Sequence, residues 1–159
     1  MILAHSLLAA LSPHQPTFVA LAMLAVIPLT WRTTGPPERA TALTLGGVAV
    51  LDLAAWWFGN GAPLLHAMAD SLALGWMVPV ALRANRFYPA VVSAALLIAV
   101  AIEWLDLLGL VQQASSTEML VGIAHLLALV VYLLGWTGHR SIIASSGRRP
   151  AWRDQIVLR

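Results

Sequence analysis

The feature that most constrains this chain is a series of long apolar runs set close together and separated by short turns. About 20 mostly apolar residues are what an α-helix needs to cross a lipid bilayer. Four segments meet that requirement: Arg39–Phe58, Pro63–Leu82, Pro89–Leu110 and Ser116–Gly135. Their starts carry physical signals. Pro36-Pro37, Pro63 and Pro89 stand where the first helical turn leaves its backbone N–H unused. Ser115 with Glu118 three residues on makes a capping-box pattern. A fifth run, Pro16–Trp31, is shorter and carries Pro28 near its end. Ahead of it, Met1–Ser12 is apolar but too short to cross, and Pro13 and Pro16 break it off, so it reads as an interfacial or re-entrant helix. The expected fold class is all-α. It is a polytopic integral membrane bundle of five transmembrane helices in residues 1–138 (spans about 16–31, 39–58, 63–82, 89–110 and 116–135), with a basic tail over 139–159.

Composition agrees and excludes much else. The chain is 60% hydrophobic and 10% charged, against roughly 45–50% and about 25% in ordinary soluble domains. It cannot cover a core with polar surface, which rules out a soluble globular enzyme. With no Cys, disulfides, thiolate catalysis and Cys-ligated zinc or iron–sulfur clusters are out. All nine basic residues are Arg, which removes Schiff-base chemistry and a phosphate loop ending in GK[ST]. Net charge is only +2, so the partners expected are membrane lipid and other membrane-protein subunits. Nucleic acid and soluble small-molecule substrates are not expected. No motif assigns the chain to a family.

The arginines give an orientation. With five spans, Arg32 and Arg39 in loop one, Arg83 and Arg86 in loop three, and Arg140, Arg148, Arg149, Arg153 and Arg159 in the tail all fall on one side. The positive-inside rule then places the N-terminus in the periplasm and the C-terminus in the cytoplasm of a bacterial inner membrane. Arg140, Arg148, Arg149, Trp152 and Arg153 are candidates for docking on anionic lipid or a neighbouring subunit.

The same arrangement collects the ionisable residues in the outer half. Counting 1.5 Å per residue from each outer helix end, Asp52, Asp70 and Glu103 are about 9–10 Å deep, Asp106 about 6 Å, His66 about 5 Å and His125 about 14 Å. His66 and Asp70 are i,i+4 on one face, and Glu103 and Asp106 are i,i+3. The inner halves carry nothing stronger than Thr41, Thr44, Ser93 and Tyr132, so that end reads as dry. Buried charge in lipid costs about 2.5–3.5 kcal/mol even on lenient scales. Asp52, His66, Asp70, Glu103, Asp106 and His125 are therefore candidates for an ion, proton or partner-contact site.

No local metal motif or catalytic constellation is present. His66, Asp70, Glu103 and His125 form only a weak metal set, and the sequence assigns no cofactor. Haem held between His66 and His125 fits poorly, because their estimated depths differ by about 9 Å. Gly46, Gly47, Gly75 and Gly122 read as close helix contacts. Two functions are expected from this pattern. The first is a non-catalytic accessory or structural subunit of a larger inner-membrane complex, photosynthetic or respiratory, that packs against partner helices, lipid, pigment or quinone. The alternative is a small proton- or cation-handling, or metal-binding, membrane protein that uses the outer carboxylate/His cluster.

Overall fold

The computed structural model describes residues 15–31, 35–59, 63–110 and 114–146. Among them the chain is all-helical, with no strand: α1 (Gln15–Trp31), α2 (Pro36–Gly59), α3 (Pro63–Arg83), α4 (Tyr88–Leu107) and α5 (Ala114–Ser146). The Met1–Ser12 helix and the tail candidates Arg148, Arg149, Trp152 and Arg153 lie outside the described residues.

Three helical segments are long and apolar enough to cross a membrane: Pro63–Arg83, Tyr88–Leu107 and Thr117–Ile142. α1 has a shorter apolar stretch, Phe18–Pro28, and α2 carries Glu38, Arg39 and Asp52. In the three long segments only 28%, 33% and 33% of residues are buried within the chain. Most of their apolar surface faces outward, including Leu72, Trp76, Leu82 and Leu134. This inverts the surface of a soluble protein and is consistent with a helical membrane protein.

Successive helices pack on one another, and α5 returns to touch α1 and α2 as well as α4. The core between them is apolar: Met23, Leu45, Val48, Met77, Val92, Leu96 and Leu129. Hydroxyls inside the helices mostly bond to their own backbone. Thr41 donates to the Pro37 carbonyl at 2.9 Å, Thr44 to Ala40 at 2.9 Å and Ser93 to Pro89 at 2.9 Å, which satisfies them without a partner helix.

Two helix ends differ from the sequence expectation. α4 stops at Leu107, short of Leu110. Gly109 takes φ +69, its N–H reaches the Asp106 carbonyl at 2.8 Å, and the Leu110 N–H reaches Leu105 at 2.9 Å. This is a Schellman ending, which needs a residue tolerant of the left-handed region. α5 starts at Ala114, two residues ahead of the expected Ser116. It also continues past Gly135 to Ser146. Gly135 is a close-approach position, not a stop: a Cβ there would meet the Tyr88 ring. Gly46 plays the same role against Ile27, whereas Gly47 and Gly75 have nothing within 4 Å.

Candidate functional site

The helices alternate in direction, and side-chain pairs show which ends lie together. Arg39, at the start of α2, stacks over Trp31, at the end of α1, with 5.4 Å to the ring centroid. At the other end of α2, Asp52 meets His66 of α3. Asp70 of α3 meets His125 of α5. The four described arginines, Arg39, Arg83, Arg86 and Arg140, thus belong to one end of the bundle. Asp52, His66, Asp70, Glu103, Asp106, Glu118 and His125 belong to the other.

At the acidic end the side chains form a linked series. His66 Nδ1 donates to Asp52 Oδ1 at 2.8 Å. Asp52 Oδ2 lies 3.7 Å from His125 Nδ1. His125 Nε2 donates to Asp70 Oδ2 at 2.8 Å. Both ring nitrogens of His125 therefore face carboxylates from two different helices. Glu103 is buried on α4 and is within electrostatic reach of Asp70, His125 and Asp52. Among the described residues, Asp70 Oδ1 and Glu103 Oε2 are buried with no hydrogen-bond partner. With both imidazoles protonated, the series of two Asp and two His carries no net charge.

The sequence places these residues together but not their partners. His66 and Asp70 share a helix face, yet each bonds across to another helix. The depth estimate for His66 and His125 needs correction. Both imidazoles reach the one Asp52 carboxylate, which a difference in depth of about 9 Å does not allow for without the reach of their side chains. Asp106 is half-buried near the end of α4 and stands outside the linked series. Glu118 is exposed. Among the described residues no group of three or more His, Asp or Glu is arranged to hold a metal ion. Arg140 is exposed on α5 and lies over the Trp136 ring, 5.3 Å from its centroid.

The other end is not dry, which corrects the sequence reading. Glu38 is fully buried and paired with Arg86. Arg86 also donates to His139 Nε2 at 2.8 Å. This clasp joins the start of α2, the α3–α4 loop and the last part of α5. Burial lowers the Arg86 pKa from its ordinary value, and the Glu38 carboxylate supplies the opposing charge. Nearby, the Tyr132 hydroxyl donates to Thr30 Oγ1 at 2.9 Å, and the Tyr88 and Tyr132 rings meet edge-on with centroids 6.2 Å apart. Sequence reasoning takes Glu38 and Arg86 as loop-side charges because they flank the apolar runs. The available signal is their joint placement with His139 on the Arg-bearing side.

No family model matches the chain, and neither a curated protein nor a solved structure is detectably similar to it.

Proposed function

We propose that this chain is a small proton- or cation-handling membrane protein that works through Asp70, Glu103 and His125. The observation that carries the proposal is the pair of buried carboxylate oxygens, Asp70 Oδ1 and Glu103 Oε2, without hydrogen-bond partners beside a doubly engaged imidazole. A network that serves packing alone closes its hydrogen bonds. Open carboxylate oxygens beside an imidazole are able to hold a proton or a small cation. Asp70 and Glu103 are the carriers in this reading, and His125 is the exchangeable partner between Asp52 and Asp70. In this proposal all five helices cross a bacterial inner membrane, with the acidic end toward the periplasm and the arginine end and basic tail toward the cytoplasm. The apolar layer of Leu45, Val48, Met77 and Leu96 between the ends means that passage needs a rearrangement and not a standing pore.

The test is gradient collapse in liposomes that contain a pH-reporting dye and the reconstituted full chain. The wild type should dissipate an imposed proton gradient faster than protein-free vesicles. Asp70→Asn and Glu103→Gln should abolish the difference while reconstituting and melting normally. A parallel sodium gradient separates proton from cation. If wild type and variants match in both assays, the proposal fails.

A second reading is the accessory subunit of a larger complex, in contact with lipid and partner helices. It is favoured by the wide apolar faces on α3, α4 and α5, where Leu72, Trp76, Leu97 and Leu134 are exposed. Purification from native membranes at endogenous level should then bring down the same membrane proteins reproducibly. Recovery as a lone monomer overturns it.

A further inference from the structure

We infer that His66 and Asp52 form a one-ended proton relay that loads the buried Asp70 through His125 from the acidic end of the bundle. This inference rests on the proton reading of the cluster and adds its route and order.

Accessibility falls in strict order along the linked side chains. The side-chain exposures are 26% for His66 and 13% for Asp52, then 5% for His125 and 1% for Asp70. The atoms used are those that transfer requires. His66 faces Asp52 through Nδ1, so a proton taken from water at Nε2 leaves by the opposite nitrogen. Asp52 receives it at Oδ1, and rotation of the protonated carboxyl about Cβ–Cγ carries that proton to the His125 Nδ1 side, where Oδ2 had stood. His125 then releases a proton from Nε2 to Asp70 Oδ2. Each imidazole thus gains a proton at one nitrogen and loses one at the other, Asp52 gives up by rotation the proton it receives, and Asp70 keeps the one that reaches it. Asp70, the least exposed member of the series, is the terminal acceptor and holds the proton at Oδ2.

Beyond Asp70 the series meets apolar Ala73, Met77, Leu96 and Ala99. The relay is therefore open at one end and closed at the other. One step is incomplete. The 3.7 Å between Asp52 Oδ2 and His125 Nδ1 is longer than a hydrogen bond. Transfer waits there for a small side-chain movement, which makes Asp52 a positioning residue as well as a relay.

The experiment is a rapid acid jump on the full chain in nanodiscs, followed by the infrared carbonyl band of protonated carboxyl groups. In the wild type a buried-carboxyl band should appear, and Asp70→Asn should remove it. His66→Ala should slow its appearance by about 100-fold, the scale of a positioned proton donor, with the final amplitude unchanged. Added imidazole should restore the rate, because the site it fills is half-exposed. Asp52→Asn should produce the same slow phase and should not respond to imidazole. If the band is present and lost in Asp70→Asn, yet His66→Ala loads at the wild-type rate, the relay is overturned while the carrier assignment stands. If the wild type shows no such band, the carrier assignment itself falls. Should His66→Ala unfold, His66→Gln, which keeps polarity without a second transferable nitrogen, must show the slow phase instead.

Discussion

α2 and α5 each carry an ionisable residue into both ends of the bundle, and the two ends treat them differently. On α2 they are Glu38 and Asp52, and on α5 they are His139 and His125. Each pair is separated by 14 positions, about 21 Å along a helix, and so returns to nearly the same face. At one end the buried carboxylate Glu38 meets Arg86, whose charge is permanent. At the other, Asp52 and Asp70 meet only imidazoles, whose charge depends on a proton. One end is held by a guanidinium that keeps its charge. The other end changes its charge whenever a proton arrives or leaves. The lesson is that burial of a carboxylate in an apolar bundle does not define its role. The chemistry of the partner does.

The contrast can be broken most severely at the clasp. Arg86→Met leaves Glu38 buried and unpaired and should destabilise the bundle by about 3–5 kcal/mol. Unfolding in detergent should show this, and adding Glu38→Gln should recover most of the loss. At the acidic end, His125→Leu removes the bridge between Asp52 and Asp70. The expected loss is smaller, about 1.5–3 kcal/mol, because both carboxylates can take up protons in response. A loss equal to that of Arg86→Met would erase the distinction between the ends.

Packing beside the clasp gives the next effect. Gly135→Ala places a Cβ against the Tyr88 ring and should lower stability by about 1–2 kcal/mol. Gly75→Ala on α3, with nothing within 4 Å, serves as the comparison and should stay within about 0.5 kcal/mol of wild type. Tyr132→Phe is a milder change than Gly135→Ala. It deletes the hydroxyl bond to Thr30, while Thr30 keeps its own bond to the Val26 carbonyl. A shift of about 0.6 kcal/mol is expected in the same unfolding assay.

Much of this architecture is legible in the order of residues. Pro36-Pro37, Pro63 and Pro89 mark the starts of three helices to within a few residues, because the missing N–H of proline costs nothing in the first turn. The gathering of Asp52, Asp70, Glu103 and His125 at one end follows from chain direction alone. Gly109 and Gly135 show why the remainder is not readable. Both follow an apolar run, yet one adopts positive φ and ends α4, while the other stays helical and admits the Tyr88 ring. A sequence records the missing Cβ, not whether a backbone turn or a neighbouring ring makes use of it.

By itself, the amino-acid sequence determined that the chain is helical and that its exterior is apolar, since periodicity, hydropathy and helix-start chemistry are local properties. Only the tertiary structure decided which carboxylate meets which partner. His66 turns from its own-helix neighbour Asp70 to Asp52, and Glu38 finds an arginine in a loop 48 positions away. Those choices depend on the stagger and rotation of packed helices, which are set by side-chain volumes across the whole core and not by any single segment.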